Sequence, residues 1–231
     1  MEAMKPGELR STRLSKGWTQ TQAAAHLGVT QAYVNFLERG KRRLTPELVR
    51  RVTSVYGLSP EVLPVSDTFM PVPTDNQRLT EFLSALGYPG FSYLRSRAAR
   101  KHPYEALLTA LAQERLDGRV AEALPWVAIK YAQPDSWLVE NARKFNLQNR
   151  LGFVVALARR QADLRHSVTR SMELSRLENL LDDSRLAKED VFYRPPRTER
   201  EKEWIRANRT GDAVHWNLLS DMKPEHLPYD R

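Results

Sequence analysis

Residues 17–43 read GWTQTQAAAHLGVTQAYVNFLERGKRR, and this stretch decides the fold of the N-terminal part of the chain. Thr19 and Gln22 have the spacing of a capping box, in which each side chain bonds the backbone N–H of the other residue. Gly28 ends the helix that begins there, and Thr30 is an N-cap for the next one. The stretch therefore predicts two helices joined by a three-residue turn, which lets them cross at a steep angle.

Further helices flank this pair on both sides. Pro6 suits a first helical turn, and Gly17 ends a helix over residues 6–16. The second helix of the pair covers residues 31–39 and ends at Gly40 in the left-handed conformation. Beyond it the sequence predicts a helix over Pro46–Tyr56, capped by Thr45 and ended by Gly57, and a short fifth helix after the Ser59-Pro60 turn.

The apolar residues of the helix pair form a small wedge where the two helices meet. They are Ala24, Leu27, Val29, Val34 and Leu37. The opposite face of the helix 31–39 is then available to another surface. It carries Gln31, Ala32, Asn35, Phe36 and Arg39.

Three segments carry a family resemblance: GWTQ at 17–20, LGVTQ at 27–31 and LERGKRR at 37–43. Residues 5–63 as a whole resemble the Cro/cI-like (XRE) family of helix-turn-helix repressors. The resemblance implies a five-helix DNA-binding domain. It also implies a homodimer on a palindromic operator, because one such domain reads only a few base pairs.

The resemblance implies which side chains contact double-stranded DNA. The helix 31–39 would lie in the major groove, with Gln31 reaching base edges and Gln20 gripping a phosphate at a helix terminus. Gln suits adenine, because its amide both donates and accepts hydrogen bonds. Ala32, Asn35 and Phe36 complete the groove-facing set. The basic residues that would fix register on phosphates are Arg39, Lys41, Arg42 and Arg43.

Two positions of the motif need separate interpretation. Phe36 stands where many members of the family carry Arg, Lys or Gln, so it either touches a thymine methyl group or packs against a neighbouring helix or domain. Arg13 and Glu38 are placed as an ion pair between the first and third helices in the family. Glu38 is therefore expected to be an internal strut and not a base-reading residue.

Positive charge is concentrated in the same part of the chain. The formal net charge is +8, and residues 1–66 hold ten Lys and Arg against five Glu. A basic surface favours a polyanionic partner, although charge alone does not choose among nucleic acid, an acidic protein and a membrane surface.

The absence of cysteine excludes disulfide scaffolds and thiolate metal sites. No apolar run approaches the roughly 20 residues that cross a bilayer, so we expect a cytoplasmic protein without a membrane partner.

A connector follows the basic region. Residues 67–77 contain prolines and lack helical periodicity, which is typical of a linker between domains. Phe69 and Met70 are unusually apolar for a linker that is exposed on all sides. We expect them to dock onto one of the two domains.

Residues 78–231 predict a larger second domain built of helices. Apolar residues recur there every three or four positions, and no run of period two occurs. Thr198 and Glu201 have the spacing of another capping box. The fold class is therefore all-α, with residues 1–66 as a first domain, and the short joints are compatible with HEAT-like or tetratricopeptide-like helix pairs.

The sequence contains no catalytic pattern that we recognise. Its five histidines lack the His-Glu-x-x-His spacing of a zinc site, and no glycine-rich phosphate loop occurs. We expect no enzyme activity, no metal and no cofactor.

Two segments of the larger domain are open to either of two roles. The most apolar helix begins with Gln148, Asn149 and Arg150, whose side chains form either a ligand or partner site or ties that fix the helix end. Trp216 is either a packing anchor or, where exposed, a hot spot of a protein interface.

Residues 78–231 also loosely resemble the helical regions of antitoxins encoded beside abortive-infection-type nucleotidyltransferase toxins. That resemblance implies an autorepressing antitoxin whose helical domain occludes a surface of its toxin. The alternative is a sensing repressor. Asn and Gln side chains of its helical domain would then grip a peptide or small molecule and alter the spacing of two DNA-binding heads.

Overall fold

The structure is a computed structural model, and it describes residues 6–94 and 101–227. Within these ranges the chain divides into two units. Unit 1 comprises residues 6–67 with 101–102, and unit 2 comprises residues 68–94 with 103–227. Both are predominantly α-helical, which confirms the predicted fold class.

Unit 1 begins with the helices that the sequence predicts. They are α1 (Pro6–Ser15), α2 (Gln20–Leu27), α3 (Gln31–Glu38) and α4 (Pro46–Tyr56), followed by a 3-10 turn at Pro60–Val62. The helices α1 and α3 each end one residue earlier than predicted. The predicted fifth helix is this single 3-10 turn.

The capping signals of unit 1 act as predicted. The Thr19 hydroxyl accepts the N–H of Gln22 at 3.2 Å, and the Gln22 side chain accepts the N–H of Thr19 at 2.8 Å. Thr30 and Thr45 cap α3 and α4 with their hydroxyls. Gly28 ends α2 with a φ of 64°, a left-handed conformation that costs glycine little because it has no Cβ.

The predicted wedge lies in the core of unit 1. Its buried members are Ala24, Leu27, Val34 and Leu37, and Val29 packs against them partly buried. The same core includes Leu9, Ala23, Leu48, Val52 and Tyr56. Because α3 turns its apolar side inward, the opposite side faces solvent.

Unit 2 contains the remaining helices. They are α5 (Asn76–Ala85), α6 (Pro103–Leu111), α7 (Gly118–Tyr131), α8 (Ser136–Lys144), α9 (Gln148–Leu164), α10 (Val168–Asp182), α11 (Glu199–Asn208) and α12 (Gly211–His215). Short 3-10 turns lie at Pro89–Phe91 and Pro224–His226. Two strands of two residues each, β1 (Asp190–Val191) and β2 (Leu218–Leu219), pair in parallel.

The centre of unit 2 is α9. All side chains of residues 151–158 are buried, and α6, α7, α8, α10 and α12 contact this helix. Helices arranged around one central helix differ from a solenoid of the HEAT or tetratricopeptide type, in which each repeat contacts only its neighbours.

The start of α9 is fixed by its three polar side chains. The Asn149 amide exchanges two hydrogen bonds with the backbone of Leu186, at 2.9 and 2.8 Å. Gln148 donates to the carbonyl of Ser184 at 3.0 Å, and Arg150 forms a paired contact with Asp190 at 2.7 and 3.0 Å. These side chains are therefore ties between the helix end and residues 184–190.

Trp216 is a packing anchor. Its side chain is fully buried, and a Cβ placed on Gly152 of α9 would lie 2.4 Å from its ring. The indole thus occupies the space that a side chain at position 152 would need. This settles the open interpretation of Trp216 in favour of packing.

The two apolar residues of the connector differ. Phe69 is buried in unit 2, with its ring 5.3 Å from that of Trp137 and 5.9 Å from that of Phe145. Met70 stays exposed. Asp75 then caps α5 by accepting the N–H of Arg78.

The cap of α11 is only half the predicted box. Thr198 accepts the N–H of Glu201 at 3.1 Å, as expected. The Glu201 carboxylate accepts the N–H of Arg197 at 2.7 Å, however, and not that of Thr198. The long side chain reaches one residue further back, so the reciprocal bond of the predicted box is not made.

Candidate nucleic-acid interface

The outer face of α3 presents the side chains that the sequence places there. Gln31, Ala32 and Arg39 are exposed, while Asn35 is half-buried. Val34 and Leu37 on the opposite side anchor the helix in the core of unit 1. The outer surface of α3 is thus left uncovered within unit 1.

Gln20, at the first turn of α2, organises that surface. Its amide oxygen accepts from the Gln31 amide at 2.7 Å and from the Asn35 amide at 3.3 Å. Its amide nitrogen donates to the Glu38 carboxylate at 2.9 Å. The structure therefore brings four polar residues of α2 and α3 into one hydrogen-bonded group, the predicted Gln20, Gln31 and Asn35 together with Glu38.

The group rests on a buried ion pair between α1 and α3. Arg13 donates to both oxygens of Glu38, at 2.6 and 3.0 Å, and to the carbonyl of Trp18 at 2.6 Å. The side chains of Arg13 and Glu38 are only 8% and 3% exposed. The pair joins the two helices, which confirms the expected role of Glu38 as an internal strut.

The electrostatics of this pair keep both groups charged. Burial alone raises the pKa of Glu38, but hydrogen bonds from Arg13 and Gln20 outweigh it and hold the pKa below its usual range. The hydrogen bond to Glu38 raises the pKa of Arg13. An ionised Glu38 can only accept hydrogen bonds, so it fixes the nitrogen of the Gln20 amide toward itself and the oxygen toward α3.

The basic loop after α3 is shaped by the end of the helix. The N–H of Gly40 bonds the carbonyl of Leu37 at 3.0 Å, and the N–H of Lys41 bonds the carbonyl of Phe36 at 2.8 Å. These two bonds, with Gly40 at a φ of 69°, make a Schellman motif. The motif turns the chain sharply, so that residues 41–43 leave the helix as an exposed loop.

The basic side chains at the end of α3 and in this loop are exposed. Within the described ranges, no salt bridge involves Arg39, Lys41, Arg42 or Arg43, although each is exposed. Exposed cations without a carboxylate partner are available to an anion. They lie just beyond the polar surface of α3.

Phe36 is 43% exposed on α3. Packing inside unit 1 therefore does not cover this side chain. Of its two expected roles, packing against a neighbouring helix is the one that loses support within this unit. An aromatic side chain among polar residues on a helix surface is suited to an apolar contact with another molecule.

The sequence does not reveal the role of the Gln20 side chain. We expected it to grip a phosphate, whereas within unit 1 its amide is bonded to residues of α3. The cap of α2 takes up the N–H of Gln22, and a contact of the N–H groups of Gln20 and Thr21 with a phosphate at the helix terminus is compatible with this arrangement. The only indication of this contact in the sequence is that α2 and α3 each begin with a Gln residue.

Residues 9–63 match a family model described as helix-turn-helix. The match identifies this segment as a helix-turn-helix domain. Domains of this family occur in DNA-binding regulators. Comparison of the chain with curated proteins and with solved structures gives no match.

In residues 6–94 and 101–227, no group of three or more His, Asp and Glu side chains is placed to hold a metal ion. Over the same ranges, no helix combines the length and the apolar character that a bilayer crossing requires.

Proposed function

We propose that this protein is a sequence-specific transcriptional regulator that binds double-stranded DNA through α3 of its helix-turn-helix domain. The observation that carries the proposal is the exposed face of α3, on which Gln31 is held by Gln20 and, through it, by the buried pair of Arg13 and Glu38. A base-reading side chain that is already oriented loses less rotamer entropy on binding.

The roles follow from the chemistry of each side chain. Gln31 and Asn35 carry amides, which fit the donor and acceptor edge of adenine in the major groove. Ala32 and Phe36 suit a thymine methyl group. The exposed cations bind phosphates, and they are Arg39, Lys41, Arg42 and Arg43. Gln20 acts as a positioning residue and as part of the helix terminus that faces a phosphate.

The active form on DNA is a homodimer on a palindromic operator. One α3 reads only a few base pairs, so useful specificity requires two copies whose half-sites lie about 34–36 Å apart or a multiple of that. Footprinting on selected duplexes is expected to show two inverted half-sites. A single unrepeated half-site with one bound chain would contradict the dimer.

Two substitutions in the domain are expected to change DNA binding in different ways. Gln31→Ala should reduce the preference for duplexes enriched from a random library by about 1–3 kcal/mol, the value of one bidentate base contact. Arg42→Ala should weaken binding to enriched and random duplexes alike and reduce the salt slope by about one unit per lost phosphate contact. Arg119→Ala, in unit 2, removes the same charge as a control.

Binding titrations over a range of salt concentrations give both quantities. If Gln31→Ala kept the discrimination of the wild type, α3 would not be the reading helix. If Arg42→Ala behaved like Arg119→Ala, the basic loop would not contact phosphates.

For residues 68–231 we propose the recognition of a protein partner. The cavities beside Tyr193 measure about 50 and 110 Å³. Small-molecule pockets are usually about 300–1,000 Å³, so neither of these two cavities has the size of a site for a drug-sized ligand. Both atoms of the Asn149 amide bond the backbone of Leu186, which removes this amide from a sensor site at the same helix end.

The partner we propose is a toxin of the abortive-infection nucleotidyltransferase type, which the protein neutralises by occluding its surface while repressing the shared operon. The support is the antitoxin resemblance of residues 78–231. Co-purification of the full chain with the product of the adjacent gene is expected. If no neighbour binds and a small molecule raises the melting temperature, the sensing repressor replaces this proposal.

A further inference from the structure

One side chain of α4 reaches the turn between α2 and α3. The Nη1 group of Arg51 donates a hydrogen bond to the carbonyl of Leu27 at 2.8 Å. Leu27 is the last residue of α2, and the turn begins at the next residue, Gly28. The pair of helices that forms the helix-turn-helix motif is therefore bonded, at its turn, to a helix that lies outside the motif.

This bond completes the C-terminal end of α2. The last carbonyl groups of a helix have no acceptor role within it. In α2 the carbonyls of Ala24 and Ala25 accept the N–H groups of Val29 and Gly28, at 3.0 and 3.3 Å. The carbonyl of Leu27 accepts from a guanidinium instead. A cation at this end of a helix is favoured by the helix dipole, and a hydrogen bond from a charged donor is stronger than one between neutral groups.

Gly28 leaves room for the guanidinium. A Cβ placed on Gly28 would lie 2.7 Å from the Nη1 atom of Arg51, well inside van der Waals contact. A side chain at position 28 would therefore push the guanidinium away from the Leu27 carbonyl. The glycine thus serves this bond as well as the left-handed backbone conformation of the turn.

The bond starts from a helix that is anchored in the core. Leu48 and Val52 of α4 are buried in the core of unit 1. Between α4 and the first turn of α3 lies a groove that is open to solvent, with Tyr33 and Arg51 among its lining residues. Because this groove borders the start of α3, the bond to Leu27 links α4 to α3 through the turn.

The position of Gln31 depends on the same turn. Only residues 28–30 stand between Leu27 and Gln31, the first residue of α3. A rotation of the Leu27 peptide therefore moves the base-reading amide directly. The basic loop at residues 41–43 follows the opposite end of α3, and contacts of its long cationic side chains with phosphates need less exact geometry than a bidentate base contact.

We propose that Arg51 is a positioning residue for base recognition. By holding the carbonyl of Leu27 it fixes the turn, and with it the angle at which α3 presents Gln31 to the major groove. The inference rests on the proposed DNA-binding function and adds to it a residue that acts without touching DNA. A turn that is fixed before binding does not have to be ordered during binding, which favours affinity for the correct sequence.

Arg51→Met tests the bond, because methionine keeps an unbranched stem but has no hydrogen-bond donor. We expect the full chain with this substitution to lose about fivefold of its preference for enriched over random duplexes, the factor by which one hydrogen bond commonly shifts an equilibrium. Its salt slope should equal that of the wild type, because no phosphate contact is lost. Arg50→Met is the matched control, since it removes the same charge from α4, leaves the Arg51 bond in place and should keep the preference.

Arg51→Lys separates positioning from a loss of packing. The contact joins a single N–H to a single carbonyl, so an ammonium can replace the guanidinium, in contrast to paired contacts that need the fork of arginine. We expect Arg51→Lys to keep most of the preference that Arg51→Met loses. The Arg51 side chain is 46% exposed, so both variants are expected to fold, and circular dichroism checks this before each titration.

Hydrogen exchange of the same variants without DNA measures the turn itself. The N–H groups of Gly28 and Val29 bond the end of α2, and their exchange should be faster in Arg51→Met than in the wild type and in Arg50→Met. Unchanged exchange at both amides would show that the bond does not hold the turn, and would overturn the inference.

The binding titrations separate the inference from the proposed function. If Arg51→Met keeps the preference of the wild type, Arg51 is not a positioning residue and the DNA-binding role stands. If its salt slope falls by about one unit, Arg51 contacts a phosphate directly and the inference is overturned. If the wild type itself prefers no duplex, the proposed function fails, and the role of Arg51 that rests on it fails as well.

Discussion

The orientation of Gln31 depends on one amide, that of Gln20. Glu38 is ionised and accepts a hydrogen bond from the amide nitrogen of Gln20. The amide oxygen of Gln20 is then left to accept hydrogen bonds from Gln31 and Asn35. A chain of hydrogen bonds therefore runs from a buried ion pair to an exposed base-reading position. The stability of this chain of hydrogen bonds depends on its buried end, the ion pair of Arg13 and Glu38.

Glu38→Gln is expected to lower the free energy of unfolding of unit 1 by about 3 kcal/mol at neutral pH, because it leaves a buried Arg13 without its carboxylate. A Glu in the unfolded chain has a pKa of about 4.3, and the pKa of Glu38 in the folded chain is lower. The stabilisation is therefore complete above about pH 4.3 and is lost as the pH falls through the folded pKa.

Urea unfolding of the full chain between about pH 3 and pH 7 measures this dependence, with hydrogen exchange of peptides from residues 6–63 to isolate unit 1. Glu38→Gln should show a flatter acid limb than the wild type. Glu47→Gln, whose side chain is 85% exposed, is the control and should follow the wild type. Parallel acid limbs for all three proteins would show that the ion pair does not carry the dependence.

At the scale of elements, α9 shows how one glycine shapes a helix bundle. Its residues 151–158 are buried on all sides, and Gly152 is where the ring of Trp216 crosses the helix. Glycine is normally a poor helix residue, because it loses more backbone entropy than alanine. Here the close approach of the indole requires it.

Gly152→Ala is expected to lower the free energy of unfolding of unit 2 by about 1–3 kcal/mol, since the new methyl group would overlap a buried ring. At an open helical site the same change stabilises by up to about 1 kcal/mol. Gly118 is such a site, because a Cβ there meets nothing within 4 Å, and Gly118→Ala is therefore the control. Urea denaturation followed by circular dichroism compares the two, and an equal or positive effect at Gly152 would contradict the packing argument.

At the scale of the whole molecule, the first residues after unit 1 belong to unit 2. The buried ring of Phe69 packs on Trp137, and Asp75 caps α5. Thr74 also donates its N–H to Gln113 of unit 2 at 3.0 Å. We therefore propose residue 68 as the start of the second domain for experiments on separate fragments, with residues 1–66 sufficient for weak DNA binding.

A fragment of residues 68–231 is expected to be more stable than one of residues 78–231 by about 3 kcal/mol or more, the usual cost of removing a buried Phe. Loss of the Asp75 cap adds about 1 kcal/mol. Chemical denaturation of both fragments gives the difference. Met70→Ala in the longer fragment is the control, because Met70 is exposed and its loss should change little.

The sequence by itself determined the helices of unit 1 and the polar face of α3. Caps such as Thr19 with Gln22, and ends such as Gly28, depend on residues within four positions of one another. Such local signals act whatever the rest of the chain does. The helix-turn-helix domain and its exposed basic loop were predictable for this reason.

Only the tertiary structure decided which polar side chains bond one another and which apolar ones are covered. Gln20 meets Glu38 across 18 positions of sequence, and Asn149 meets Leu186 across 37. The fit of Trp216 against Gly152 and the bond of Arg51 to Leu27 likewise depend on which helices pack together. Such contacts follow from side-chain packing between distant segments, which periodicity does not encode because it gives each helix an apolar face but not the partner that covers it.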